Sequence, residues 1–131
     1  MEKKNPIEEA RRYVANAREA IKNADLNTTT GYYQDRKYIQ TAGDLLWKGC
    51  LIALDAAFGI TAKLKKDQRA DIDDYKKAVA KRDRKLSQFV SDGYKAMHLN
   101  MGYDGIYNKA ACDDGFRIAN LIIDRCAMLL K

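Results

Sequence analysis

Proline and long apolar runs are both scarce in this sequence. Pro6 is the single proline among 131 residues. Long helices exclude proline from their interiors, whereas all-β chains need many turn residues, so this scarcity favours an all-α fold. No stretch of about 18 uncharged apolar residues occurs, which predicts that the chain does not span a membrane. The length fits one domain covering residues 1–131.

Cysteines are few and widely separated. Cys50, Cys112 and Cys126 are odd in number and form no CxxC pair, which argues against a disulfide framework or a zinc site. Each lies in an apolar stretch and is therefore expected to be a reduced, buried side chain. Reduced cysteines, and the lack of an apolar signal core after the first residues, predict a cytoplasmic protein. We expect no bound metal and no cofactor.

Helical periodicity begins near the start of the chain. Asn5 and Pro6 form a helix start, and apolar residues then recur every three or four positions until about residue 24. A second helix is predicted over 32–59 and is apolar on nearly every side. Such a helix is typical of the centre of a bundle or of a subunit interface. Gly59 is expected to end it.

The second half of the sequence predicts further helices. One region begins near Asp71 and is expected to break near 80–82, where two charged residues interrupt the apolar stripe. A turn is predicted at 99–105, followed by a last helix over 106–130. Four long helices joined by modest loops predict an up-and-down four-helix bundle, with an additional short helix near 71–80.

Positive charge is concentrated in one segment. The chain carries a net charge of +6, and residues 61–85 contain ten Lys or Arg against five Asp. Such a segment is typical either of a phosphate-facing surface or of a solvated face, and the interleaved aspartates favour the second interpretation. The candidate basic patch consists of Lys81, Arg82, Arg84 and Lys85.

His98 is the single histidine, which limits the chemistry available to the chain. Nucleophilic catalysis and metal binding commonly need a histidine with neighbouring partners, and no glycine-rich phosphate loop is present. A polar cluster nevertheless surrounds it. The candidate binding residues are Tyr94, Lys95, His98, Tyr103 and Asp104. They indicate either a pocket for a phosphate or base, or a helix end whose side chains cap backbone carbonyls, and the second interpretation is favoured.

A second mixed cluster stands at the start of the predicted second helix. It combines aromatic and basic residues, namely Tyr32, Tyr33, Arg36, Lys37 and Tyr38. Aromatic rings mixed with cations can stack nucleic-acid bases. At helical spacing the same residues more often form the rim of a core, with their polar tips reaching water.

Three stretches resemble a known superfamily. The run 38–49, leading into 50–56, resembles the central helix of HEPN-like proteins, which are small four-helix bundles. The stretches 73–83 and 98–105 look like a bacterial subgroup of that type with no assigned function. The resemblance implies metal-independent RNA cleavage in toxin–antitoxin or defence systems, partnership with nucleotidyltransferases, or nucleotide and RNA binding. It also implies a dimer.

The sequence departs from the ribonuclease members of that superfamily. Those members carry an arginine that is followed, after four to six residues, by a histidine. The corresponding positions before His98 hold Ser91, Asp92 and Gly93. We therefore predict a non-catalytic HEPN-like bundle, a homodimer that acts by binding protein, nucleotide or nucleic acid, with RNA or a nucleotidyltransferase-type protein as partner. One alternative is a degenerate RNA-cleaving enzyme that uses His98, and another is a structural or small-ligand bundle with no nucleic-acid role.

Overall fold

A computed structural model of the chain describes residues 5–64 and 68–131. The fold is predominantly helical, in agreement with the expected all-α class. Five α-helices, a 3₁₀ turn, a π-helix and one two-stranded hairpin follow one another. They are α1 (Pro6–Lys22), β1 (Leu26–Asn27), β2 (Tyr32–Tyr33), α2 (Arg36–Phe58), the 3₁₀ turn (Thr61–Lys63), α3 (Ile72–Ala80), α4 (Arg84–Gly93), the π-helix (Tyr94–Tyr103) and α5 (Lys109–Leu129).

The start of α1 agrees with the sequence prediction. The Asn5 side chain accepts hydrogen bonds from the backbone amides of Ile7 and Glu8, and Pro6 occupies the first turn, where no amide is needed. The apolar face of α1 buries three small or branched residues. These are Ala10, Val14 and Ala17.

The start of α2 differs from the prediction. The second helix was expected from residue 32, but Tyr32 and Tyr33 form β2 and pair antiparallel with β1. Gly31 has a positive φ of 76° in the turn, and the Asn27 side chain accepts from two amides there. The helix begins only at Arg36, because the Asp35 side chain caps it.

Helix α2 lies at the centre of the fold. It contacts α1, α5 and the π-helix, which explains why it is apolar on nearly every side. Gly49 allows a close approach of α1, because an added Cβ would lie 2.9 Å from the carbonyl oxygen of Ala10. Gly59, with a φ of 62°, ends the helix as expected.

The predicted break near 80–82 is present between α3 and α4. Asp83 caps α4 by accepting from the Leu86 amide, and it accepts a 2.6 Å hydrogen bond from Nε of Arg125 on α5. Burial raises the pKa of Asp83, but these hydrogen bonds outweigh burial and hold the pKa below its usual value. The charged residue that interrupts the apolar stripe is therefore a helix cap joined to α5.

The predicted turn at 99–105 was wrong in most of its length. Residues 94–103 continue from α4 as a π-helix, and the Asp104 amide donates to the carbonyl of Leu99, five residues back. The chain turns only at Gly105, where φ is 63°. Helix α5 starts at Lys109 rather than 106, because the Asn108 side chain caps it.

Glycines bring the π-helix against α2. A Cβ at Gly43 would lie 2.5 Å from Cβ of Met101 and 2.6 Å from the backbone nitrogen of Gly102. A Cβ at Gly102 would lie 2.5 Å from Oδ1 of Asp44. At Gly43 two of the short contacts are with backbone atoms, so only glycine fits there while the two backbones keep their spacing.

Candidate functional site

A groove opens between α2, the start of α3 and the π-helix. Its volume is about 560 Å³. We call it the His98 groove. Its polar and aromatic lining residues are Asp44, Trp47, Lys48, Arg69, Asp71, Tyr75, Tyr94 and His98.

One wall of the groove is aromatic. The ring centroids of Tyr94 and His98 lie 5.2 Å apart with an angle of 31° between their planes. Trp47 stands behind both, 5.8 Å from Tyr94 and 6.3 Å from His98. Trp47 is only 7% exposed, whereas His98 is exposed and Tyr94 is half-buried. The accessible part of the wall is therefore formed by Tyr94 and His98, backed by the indole.

The local fold explains how these side chains meet. Asp44, Trp47 and Lys48 share one face of α2, since they lie three or four residues apart around that face. The π-helix runs along the same face, because Gly43 and Gly102 allow the close contact described above. Asp71 and Asp74 form a reciprocal capping box that fixes the start of α3 at the rim.

The groove carries charges of both signs. Lys48 and Arg69 are exposed, and in the described ranges 5–64 and 68–131 neither forms an ion pair. Asp44 is exposed as well, whereas Asp71 is engaged as the cap of α3. Lys48 and Arg69 can therefore bind an anionic group, and the Asp44 carboxylate lies beside them.

Tyr75 adds a proton donor to the lining. Burial raises the pKa of Tyr75 above its usual value, and the nearby carboxylates of Asp55 and Asp74 raise it further. The phenol therefore stays protonated throughout the neutral range. It can donate a hydrogen bond to a ligand in the groove.

The structure places two of the five predicted binding residues in the groove, Tyr94 and His98. Lys95 is exposed but does not line it. Tyr103 and Asp104 lie beyond it, at the end of the π-helix, and Tyr103 is 78% exposed. Because the helix continues through His98, the imidazole is not at a helix C-terminus and does not cap carbonyls there.

Residues of the candidate basic patch line two different grooves. Arg82 donates to the carbonyl of Ala57 and lies over the ring of Phe58, and it shares a separate groove with Lys81. Lys85 lines another groove, between α4 and α5. Arg84 is the exposed first residue of α4. Residues 65–67 of the basic segment lie outside the described residues.

The cluster at the start of α2 is divided by the hairpin. Tyr32 and Tyr33 belong to β2, while Arg36 and Lys37 open α2. Nζ of Lys37 lies 5.0 Å from the ring centroid of Tyr38. Arg36 instead lies over the ring of Tyr107, which is distant in the sequence.

Six of the eight polar and aromatic groove residues were not predicted as binding residues from the sequence, namely Asp44, Trp47, Lys48, Arg69, Asp71 and Tyr75. Arg69 was counted only within the basic segment. Nothing local in the sequence indicates that Arg69 lies near the face of α2 that carries Lys48.

The described residues contain neither a metal-binding cluster nor a membrane-spanning helix. Within residues 5–64 and 68–131, no three His, Cys, Asp or Glu side chains are arranged to hold a metal ion. No helix in that part of the chain combines the length and apolar character needed to cross a bilayer.

Comparison with known proteins assigns the chain to a family. The sequence profile of a domain of unknown function, DUF5618, matches residues 5–128. The chain belongs to this family. A solved structure of a protein of unknown function from Dyadobacter fermentans is similar over 96% of both chains, with 33% sequence identity and a TM-score of 0.84. No curated protein matches significantly.

Proposed function

We propose that this DUF5618 chain is a non-catalytic binding protein whose ligand is a nucleotide or a nucleic-acid base held in the His98 groove. One observation carries the proposal. An accessible pair of rings, Tyr94 and His98, faces a groove that also contains the unpaired cations Lys48 and Arg69. Planar rings beside free cations suit a ligand that joins a flat base to a phosphate.

Each part of such a ligand has a counterpart in the groove. The base stacks on the Tyr94–His98 pair, and base–aromatic stacking is worth about 1–3 kcal/mol per base. The phosphate lies near Lys48 and Arg69. The carboxylate of Asp44 accepts a hydrogen bond from a ribose hydroxyl or an exocyclic amine. The ligand must contain all three features to occupy the whole lining.

Trp47 provides a direct assay, because it is the single tryptophan of the chain and lies in the groove wall. We expect adenosine 5′-monophosphate to change its fluorescence saturably. The variants His98→Ala and Lys48→Gln should each weaken binding by roughly fivefold or more, consistent with loss of about 1 kcal/mol. A fluorescence change that never saturates would contradict the proposal.

Matched controls remove similar charges outside the groove. Lys81→Gln and Lys85→Gln each remove one lysine charge from the basic segment, and neither residue lines the His98 groove. We expect both to bind the nucleotide as the unchanged chain does. If these two variants weaken binding as much as Lys48→Gln does, long-range charge rather than the groove holds the ligand.

We further propose that the helices form an up-and-down four-helix bundle of HEPN-like type that works as a homodimer. The packing of α1, α5 and the π-helix around α2 supports the bundle. The proposed partners are RNA or a nucleotidyltransferase-type protein. Light scattering coupled to size exclusion tests the dimer, and a monomer at the highest soluble concentration would refute it.

The rival function is RNA cleavage by His98. The observation in its favour is that the imidazole is exposed in a groove with two unpaired cations, which would stabilise a phosphate under attack. Incubation with mixed RNA separates the two functions. Cleavage that is lost in His98→Ala would establish the enzyme, whereas no cleavage, or equal cleavage by the variant, would exclude it.

A further inference from the structure

A second group of rings and a cation lies at the hairpin end of the fold. Cζ of Arg36 lies 4.5 Å from the ring centroid of Tyr107, and the Tyr107 ring contacts that of Tyr32 at 5.2 Å with an angle of 69°. Tyr32 is 45% exposed and Tyr107 is 39% exposed. We call these three residues the hairpin cluster. They come from β2, from α2 and from the segment before α5.

The fold holds the hairpin cluster in place. The Tyr33 amide donates to the carbonyl of Tyr107 at 2.7 Å, and the Lys109 amide donates to the carbonyl of Gly31 at 2.9 Å. These hydrogen bonds tie the hairpin to the start of α5. The rings are therefore positioned by backbone contacts on both sides, and a ligand would meet a preformed surface.

The hollow beside the cluster suits an anion that carries flat rings. Its volume is about 340 Å³, and none of the described residues that line it carries a carboxylate. Arg36 is its single charged residue and forms no ion pair within the described part of the chain. Thr30 and Gln34 add hydroxyl and amide groups at the edge. The His98 groove has the same combination, because aromatic rings lie there beside cations that form no ion pair with described residues.

The two sites lie on one continuous seam between α2 and the segment 94–107. Trp47 contacts Tyr94 and His98 at one end. Nε2 of Gln40 donates to the carbonyl of Tyr103 in the middle, and a Cβ at Gly105 would lie 3.2 Å from Cβ of Arg36 at the other end.

Exposed rings concentrate on this seam. Among the described residues, five large hydrophobic side chains are exposed. Three of them are Tyr32, Tyr103 and Tyr107, and the other two, Met128 and Leu130, lie at the end of α5. Tyr103 lies between the His98 groove and the hairpin cluster. Exposed rings on one seam are typical of a surface that stacks successive bases.

The distance between the His98 groove and the hairpin cluster sets the length of the ligand. Arg36 and Trp47 are eleven residues apart on α2, which is about 17 Å at about 1.5 Å per residue. A stacked strand rises about 3.4 Å per nucleotide, so roughly five stacked nucleotides cover this distance. A mononucleotide is too short to reach both ends.

We propose that the His98 groove and the hairpin cluster are the two ends of one binding surface for single-stranded nucleic acid. The proposal rests on the nucleotide-binding function of the His98 groove and extends it to a ligand of several nucleotides. Polar residues such as Gln40 and Asp44 interrupt the rings along the seam, which suits a strand with separate bases better than the continuous apolar face of a folded protein.

The test is a series of ligand lengths with two variants of the hairpin cluster. Adenylate mono-, tri- and hexanucleotides are titrated against Trp47 fluorescence. We expect the hexanucleotide to bind at least about tenfold more tightly than the mononucleotide. Arg36→Gln and Tyr32→Ala should remove most of that gain and leave mononucleotide affinity unchanged. Lys37→Gln, which removes one charge next to Arg36, is the matched control and should retain the gain.

The outcomes separate this inference from the proposed function. If the mononucleotide binds and the hexanucleotide binds no more tightly, the extended surface is refuted while nucleotide binding stands. If Arg36→Gln and Lys37→Gln lose the same affinity, the gain comes from general charge and the hairpin cluster is not a site. If neither ligand binds, the nucleotide-binding function itself is refuted.

Discussion

Replacing Gly43 by alanine should separate α2 from the π-helix. The new Cβ would lie 2.5 Å from Cβ of Met101, 2.6 Å from the nitrogen of Gly102 and 2.6 Å from the carbonyl oxygen of Met97. None of these atoms can rotate away, because two belong to the backbone and the third is attached directly to it. The helices must therefore move apart, and the groove wall moves with them.

The magnitude follows from two opposing effects. Alanine in place of glycine inside a helix gains about 1 kcal/mol in helix propensity. Overpacking a filled core costs about 1–3 kcal/mol, and the upper end applies at Gly43 because backbone atoms block the methyl group. The net loss is about 2 kcal/mol in the free energy of unfolding, or a fall in Tm of about 6–10 °C for a chain of this length.

Gly93→Ala is the matched control for Gly43→Ala. A Cβ at Gly93 would lie 2.6 Å from Cε of Met97, and its next neighbours are Cδ1 of Ile122 at 3.0 Å and Cγ2 of Ile118 at 3.2 Å. Since a methionine tip can move, this variant should stay within about 1 kcal/mol of the original chain. Urea unfolding followed by circular dichroism measures both. If Gly43→Ala is no less stable than Gly93→Ala, the close approach of α2 and the π-helix is wrong.

Three further predictions concern charge and burial. Asp83→Ala should lower the free energy of unfolding by about 2–3 kcal/mol at pH 7, because a helix cap and a partly buried ion pair are both lost. The pKa of Asp83 is lowered in the fold. The loss of unfolding free energy in the variant should therefore be complete above about pH 4, the usual pKa of an unfolded aspartate, and should shrink as the pH falls through the folded pKa. Equal losses at pH 7 and pH 2 in urea unfolding would contradict this prediction. Asp44→Asn should bind adenosine monophosphate about twofold to fivefold more weakly, because the charged acceptor for the ribose hydroxyl or exocyclic amine is lost. Equal or tighter binding in the same titration would show that the carboxylate does not contact the ligand. Burial raises the pKa of Cys112 to about 11 and that of Cys126 to about 12. A thiol reagent at pH 8 should therefore modify these two cysteines only after urea unfolding. Prompt reaction of the folded chain would contradict their burial.

Features set by residues close in sequence were predictable. The start of α1 follows from Asn5 and Pro6, and the end of α2 follows from Gly59. The break before α4 was visible because a charged pair occupies an expected apolar position, and Asp83 is the cap that causes it. Each of these signals acts within a few residues, so no knowledge of the tertiary packing was needed.

Features set by contacts between distant segments were not predictable. The hairpin has strands of two residues, too short for an alternating pattern, and it is held by bonds to Tyr107 and Lys109. The π-helix packs against α2 where Gly43 and Gly102, from separate helices, approach closely. The groove likewise requires Arg69 and Trp47 to lie close together, and no spacing in the sequence predicts that they do.

Mapping the ligand onto backbone amides tests the central claim most directly. Correlated ¹⁵N–¹H spectra of the labelled chain are recorded with increasing adenosine 5′-monophosphate. Binding in the His98 groove predicts saturable shifts concentrated at residues 44–51 and 94–98, with none at 81–85. Shifts confined to 81–85, or no saturable shifts at millimolar nucleotide, would contradict it.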